Sequence, residues 1–320
     1  MIRAQNANRD MTTKLADYQN GNTHVTLYRD GTKVREYEGT PAPVHPESID
    51  MKITDWCDAG CAFCHESSTV KGKHAKVDDI LAIINGLPAG VELAIGGGDP
   101  LSHPLIFSIL QDIAHRGLIA NVTVNGQHIY RHARMIQNLR QEGILHGLGV
   151  SFDHRMWHDY GEEARPYSEE HGEMQFDEIA DENTIVHFIA GEHDPFEALN
   201  VMRVHPKLLV LGYKQFGRGI HHFGPRVAHS LGAWKYWINS IMSKGVVCFD
   251  NLAIEQLKLQ ERLPAETWNR CYMGGDGVFT MYADAVRNEY AISSTSSRFP
   301  ALGQSAVEFF RTHKFHVSNS

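Results

Sequence analysis

Between residues 50 and 213, short apolar runs alternate with longer stretches of helical period, and no other feature restricts the fold of this chain so tightly. Met51 to Thr54, Val91 to Ile95, Ala120 to Val124, Gly147 to Phe152, Thr184 to Ala190 and Lys207 to Tyr213 read as strands. Asp78 to Gly86, Pro104 to His115 and Tyr130 to Gln141 read as helices, the first with Ile80, Leu81, Ile83 and Ile84 on one side and Asp78 near its positive end. A polar stretch from His154 to Glu182 holds a short helix near Phe176 to Ala180, and another helix starts at Pro195 to Val201. Strands joined through helices pair in parallel by right-handed crossovers, so six such units predict an open or partial barrel. Chemistry in such folds gathers at the C-terminal ends of the strands.

The flanks differ from this rhythm. The first 20 residues are polar and aperiodic and read as a loosely held terminus. Asp30-Gly31 between two apolar-patterned runs predicts a hairpin, followed by a proline-bearing linker from Gly39 to Pro46. After Gly219, Val227 to Lys244 carries Trp234, Trp237, Ile238 and Ile241 on one helical face, a pattern that more often marks core than a binding site. Cys248 to Leu259 reads as strand or helix, and Val278 to Tyr282 with Tyr290 to Ser293 as a closing hairpin. With 320 residues, one substantial core plus an appendage is expected. The predicted class is α/β: a partial (β/α)6 barrel over 49–219, an N-terminal tail and β-hairpin over 1–48, and a small α+β C-terminal module over 220–320 that acts as substrate dock or lid.

The formal net charge of −8 repels a phosphate backbone, which disfavours a nucleic-acid substrate. No window holds the roughly 18 uninterrupted apolar residues of a membrane span, and Met1 to Asn20 lacks the apolar core of a secretory signal, so a cytoplasmic protein without membrane attachment is expected. Five cysteines are present, three of them at 57, 61 and 64. Clustered thiols in a chain read this way point to metal rather than to a disulfide framework.

The run Cys57-Asp58-Ala59-Gly60-Cys61-Ala62-Phe63-Cys64 is a compact loop that turns three thiols toward one point. Three ligands on a 4Fe-4S cluster leave one iron open to chelate a small molecule. A structural zinc site is the competing reading, but it needs a fourth ligand, and His65 is adjacent to Cys64 rather than spaced to complete a tetrahedron. This loop after a first strand resembles the C-x3-C-x-Φ-C signature of radical S-adenosylmethionine (SAM) enzymes, with Phe63 at the aromatic position that contacts adenine in that family. Gly96-Gly97-Gly98-Asp99-Pro100 is similar to the family's Gly-Gly-Glu-Pro motif, with Asp99 as the acid that holds the methionine amine on a shorter arm. Ser151 and Asp153 stand where the family often places ribose-binding groups. Ile189 to Glu192 resembles a segment that packs on the adenine, and Lys214 to Gly219 a barrel-closing segment.

The resemblance covers about residues 50 to 219. It implies one 4Fe-4S cluster on Cys57, Cys61 and Cys64, and S-adenosylmethionine bound by Phe63, Gly96, Gly97, Gly98, Asp99, Ser151 and Asp153. It implies reductive cleavage of S-adenosylmethionine to a 5′-deoxyadenosyl radical that takes hydrogen from a substrate, with an electron donor such as a flavodoxin or ferredoxin. The tail from Cys271 to Val278 resembles a cysteine-poor SPASM-type extension of peptide-modifying members. Only Cys248 and Cys271 remain outside the loop, so a full auxiliary cluster is not expected. A peptide substrate leads, a nucleotide-like or other small metabolite is the enzymatic rival, and a non-catalytic iron-sulfur scaffold or electron carrier is the alternative of another class. Tyr213, Lys214 and Arg218 are candidate relay residues with nothing to choose between them.

Overall fold

A computed structural model describes residues 13–154, 157–158, 165–166 and 176–313. It begins with an antiparallel meander of β1 (Lys14–Asn20), β2 (Thr23–Tyr28) and β3 (Lys33–Tyr37). The β2–β3 turn is the Asp30-Gly31 hairpin: Gly31 takes a φ of 80°, and the Asp30 carboxylate accepts from the Thr32 backbone N–H at 2.8 Å. Over Lys14–Asn20, β1 corrects the expectation of a loose terminus, while residues 1–12 of that stretch lie outside the described residues. Its polar residues pair with β2 from Lys14 opposite Tyr28 to Asn20 opposite Thr23, and the buried Asn20 amide binds the backbone at Val44 and His45.

The barrel follows as β4 (Ser48–Thr54), α1 (Val77–Ile84), β5 (Glu92–Gly97), α2 (Ile106–His115), β6 (Ile119–Asn125), α3 (Ile129–Gln141) and β7 (Gly147–Ser151). Two-residue strands β8 (Trp157–His158) and β9 (Arg165–Pro166) pair with each other. Then come α4 (Phe176–Ile179), β10 (Thr184–Ile189), α5 (Pro195–Val201) and β11 (Lys207–Leu211). The chain continues through α6 (Gly219–His222), α7 (Pro225–Met242), β12 (Val246–Phe249), α8 (Asn251–Leu257), α9 (Leu259–Arg262) and α10 (Ala265–Cys271). It closes with β13 (Thr280–Asp284), β14 (Glu289–Ala291), β15 (Phe299–Pro300) and α11 (Ala306–His313).

All six expected strands lie in one sheet of order β12-β11-β10-β7-β6-β5-β4-β13-β14-β15, parallel from β12 to β13. The fold is thus the α/β partial barrel that the alternation predicts. The sheet also runs past residue 219: β12 extends it beyond β11, and β13 pairs in parallel with the first barrel strand, Met51 opposite Ala283. The segment expected as strand or helix after Cys248 is both, β12 and then α8. Asp250 makes that change of geometry, its carboxylate accepting from the backbone N–H groups of Ala253 at 2.7 Å and Gly212 at 2.9 Å.

Alternation along the strands sorts the residues into two faces. Leu93, Ile95, Val122, Val124, Leu148, Val150, Val186 and Phe188 are sealed against the helices in one continuous core. Asp50, Ala94, Gly96, Asn121, Thr123 and Ser151 fall on the opposite face, which lines the barrel interior and is less covered. Trp234 is fully buried and donates its indole N–H to the His193 carbonyl at 2.8 Å, so the tryptophan face of α7 is core.

The meander is fastened at the N-terminal ends of the barrel strands. Arg35 donates from Nε and Nη2 to Glu47 Oε2 at 2.8 and 2.7 Å, and Lys33 pairs with Glu92 at 2.6 Å. That leaves the C-terminal ends, where the cysteines are, free of it.

Candidate functional site

Cys57, Cys61 and Cys64 lie in the connection from β4 to α1, directly above the C-terminal end of the first barrel strand. Backbone bonds hold the connection in a tight double turn: Asp55 N–H to Lys73 carbonyl at 2.8 Å, Cys57 N–H to Thr69 carbonyl at 3.1 Å, and Cys64 N–H to Cys61 carbonyl at 3.3 Å. Gly72 permits this closeness, because a Cβ there would sit 2.1 Å from the Asp55 carbonyl oxygen. From the far side of the barrel, the segment after β11 clamps the loop. Arg218 donates from Nε to the Cys61 carbonyl and from Nη1 to the Ser68 carbonyl, both at 2.9 Å, and its backbone N–H reaches the Cys64 carbonyl at 3.0 Å. Arg218, considered as a relay residue, is therefore a strut of the cysteine loop.

The three thiols are half-buried. Cys57 Sγ accepts from the Ala59 N–H and Cys61 Sγ from the Asn125 side-chain amide, each at 3.5 Å. Burial, with the neighbouring thiols and Asp99 adding to it, pushes Cys57 up to about 11; burial likewise raises Cys61. Thiolates gathered in such a place call for a cation among them. A tetrahedral zinc would draw its sulfurs to about 3.8 Å apart. Yet among the described residues the group able to offer three ligand atoms within 4.8 Å of one another is Cys57, Asp58 and His128, not the cysteine triad. The Asp58 carboxylate of that group is already bound by Arg131.

The glycine-rich tail of β5 lies against this loop. Gly97 has a φ of 121°, and a Cβ on it would meet the Thr54 carbonyl oxygen at 2.3 Å; one on Gly98 would meet the Trp56 carbonyl oxygen at 2.1 Å. Gly98 N–H donates to Thr54 and Asp99 N–H to Trp56 at 2.8 and 2.7 Å, so the tail is stitched to the residues just before Cys57. A Cβ on Gly96 would meet nothing within 4 Å, which leaves open space above that backbone.

Asp99 is fully buried. Burial favours its neutral form, but hydrogen bonds with His132, Ser102 and Arg131 outweigh that and hold the carboxyl well below the usual range. Oδ2 takes all three contacts, Ser102 Oγ at 2.6 Å and His132 Nε2 at 3.0 Å among them, and Oδ1 has no hydrogen-bond partner among the described residues. Arg131 also reaches Asp58 in the cysteine loop, Nη1 to Oδ2 at 2.8 Å and Nη2 to Oδ1 at 3.0 Å, and His128 Nε2 stands 2.8 Å from the same carboxylate.

The remaining expected residues surround the same mouth. Ser151 ends β7 and is half-buried. Asp153 accepts from Gln127 Nε2 at 2.8 Å. Phe63 packs edge-on against His193, ring centroids 6.0 Å apart, and near His222 at 6.1 Å. Glu192, in the segment expected to pack on the adenine, is bound to His222 and Arg226 at 2.8 and 2.6 Å. Tyr213 donates to the Gly219 carbonyl and Lys214 to Ser294 Oγ, at 2.9 and 2.8 Å. Cys248 is buried in β12, and Cys271 ends α10.

Sequence reasoning passed over Asp58, Asn125, His128, Arg131 and His132. Asn125 closes the third barrel strand as Ser151 closes the fourth, a positional signal that could have been used. His128, Arg131 and His132 recur at i, i+3 and i+4 around the start of α3, a stripe that in sequence resembles a solvated helix face.

Parallel strands, a three-cysteine loop over the first and a glycine-acid loop over the second define an α/β partial barrel with both loops at one end of the sheet. Residues 51–155 match the model of the Radical SAM superfamily. A search of curated proteins found no match. Among solved structures the chain is similar to Streptococcus suis SuiB bound to precursor peptide SuiA, with a TM-score of 0.53 and 12% identity over 84% of this chain and 65% of that one. SuiB bound to S-adenosylmethionine gives 0.52 and 11% over 84% and 66%. The chain thus spans just under two thirds of SuiB, and at this identity the likeness is one of fold.

Proposed function

We propose that the chain is a radical S-adenosylmethionine enzyme that acts on a peptide. Cys57, Cys61 and Cys64 would hold one 4Fe-4S cluster, and Gly96, Gly97, Gly98, Asp99, Ser151, Asp153 and Phe63 would surround S-adenosylmethionine. The observation that carries this reading is the stitching of the Gly98-Asp99 backbone to Thr54 and Trp56, which puts an acid and an open glycine backbone beside the cysteine loop. When bound, the cluster supplies the electron that breaks the S–C5′ bond of S-adenosylmethionine.

The chain's own residues do the rest. Arg218 and the backbone turns fix the thiols, and the Ala59 N–H and Asn125 amide direct hydrogen bonds at two of the sulfurs. Phe63, with the His193 ring beside it, keeps water from one side of the mouth. Asp99 Oδ1 offers a buried acceptor suited to an ammonium group. A peptide as substrate is supported by the likeness in fold to a protein crystallised with its precursor peptide. A flavodoxin- or ferredoxin-like donor in the cytoplasm fits the need for one electron.

Anaerobic reconstitution tests the reading. A brown protein with about four irons per chain is expected, forming 5′-deoxyadenosine on reduction with S-adenosylmethionine, with iron and product both lost in Cys61→Ala. A loaded cluster that never cleaves S-adenosylmethionine favours the electron carrier, and a colourless protein with one zinc overturns the assignment. A mass change in a short peptide encoded beside the gene supports the substrate class; turnover of a nucleotide-like metabolite instead refutes it.

A further inference from the structure

Two carboxylates from different loops share one guanidinium. Asp58 belongs to the cysteine loop and Asp99 to the glycine-rich tail of β5, and Arg131 on α3 binds both oxygens of the first and Oδ2 of the second. Arg131 lies 5.9 Å from the Trp56 ring, whose carbonyl takes the Asp99 N–H, so the bridge crosses the line where the two loops are stitched. His128 and His132 flank it, the first on Asp58 and the second on Asp99. A planar guanidinium can span two acids in fixed directions, which a single ammonium cannot.

The consequence lies on the other oxygen of Asp99. Oδ2 is saturated, whereas Oδ1 is buried without a partner among the described residues. A buried carboxylate oxygen left unpaired costs about 1 to 3 kcal/mol, so its persistence needs an explanation. Two acids against one guanidinium leave the pair of loops short of positive charge beside that oxygen.

Resting on the function proposed above, we infer that Arg131 is a positioning residue for the cofactor amine. It fixes Asp99 through Oδ2, presents Oδ1 to the ammonium of S-adenosylmethionine, and ties that acceptor to the cysteine loop through Asp58. The amine anchor and the cysteine loop are thereby held at one spacing by a single side chain.

The test uses the anaerobically reconstituted full chain and its Arg131→Lys, Arg131→Met and Asp58→Asn variants. Three quantities are measured: iron per chain, S-adenosylmethionine affinity by equilibrium dialysis, and the change S-adenosylmethionine causes in the electron paramagnetic resonance spectrum of the reduced cluster. Iron content is expected to stay at the level of the unsubstituted protein. Affinity should fall at least about tenfold in both Arg131 variants and less in Asp58→Asn, with the spectral change absent at concentrations that saturate the parent. Full affinity in Arg131→Lys would overturn the proposal, since charge alone would then suffice. Loss of iron in step with loss of binding in both Arg131 variants would also overturn it, by making the bridge a loop support only. A parent protein that holds iron but never responds to S-adenosylmethionine refutes the function itself, and this inference falls with it.

Discussion

His187 and His193 are buried rings held in the neutral state. Burial pushes His187 down to about 4 and, with His154 adding to it, His193 down to about 3. His193 Nδ1 accepts from the Ile189 N–H at 2.9 Å, a bond available only to the neutral ring. Below pH ~6.5 the unfolded chain takes protons at these two positions and the folded chain does not, so stability is complete above that pH and is lost as pH falls through it toward the folded values. Each histidine should remove about 1.4 kcal/mol per pH unit in that window. Urea midpoints at pH 7.5 and 5.5 should therefore separate clearly, and His187→Gln should narrow the gap; an unchanged gap would show that the ring is not held neutral. At this scale the sequence reveals reactive residues better than their supports. Cys57, Cys61, Cys64, Phe63 and Asp99 stand out by spacing, while Arg131 and Asn125 become visible only when separate loops converge.

Elements were legible where burial repeats and illegible where pairing alone orders the chain. The barrel strands declare themselves because one face of each is wholly apolar, as in Leu93 and Ile95 or Val122 and Val124. β1 does not, since Lys-Leu-Ala-Asp-Tyr-Gln-Asn has little to bury and owes its order to β2 and to the Asn20 amide. The tail of β5 shows how little room the site allows. Gly98→Ala must move the Trp56 carbonyl or break the two backbone bonds that join the loops, and should cost about 2 to 3 kcal/mol. Chemical denaturation would read that cost. Retention of both parental stability and cofactor affinity would mean that the tail is not held against the loop.

The whole molecule is organised so that its two ends have different tasks. At the N-terminal ends of the strands, Arg35 serves the fully buried Glu47 and lies 4.1 Å from the centroid of the Phe279 ring, linking the meander to the approach to β13. Arg35→Met would leave that carboxylate with only the longer Lys33 contact at 3.9 Å, and a loss of about 3 kcal/mol is expected from denaturation curves, with iron content unchanged because the cysteines sit at the opposite end. A loss of iron comparable to the loss of stability would show the ends to be coupled. Nothing in the sequence announces the pairing of β4 with β13, because partners so distant along the chain leave no local pattern.

That pairing also sets an order of events during synthesis. β4 ends at Thr54 and its outer neighbour β13 does not begin until Thr280, so at ~5–20 residues per second one edge of β4 waits on the order of tens of seconds for its partner. An unpaired edge is an invitation to other strands unless charge guards it. Asp50 and Lys52 provide that guard, and Lys52 ends its wait when Asp284 arrives to join Asp55 and Glu66 around its ammonium.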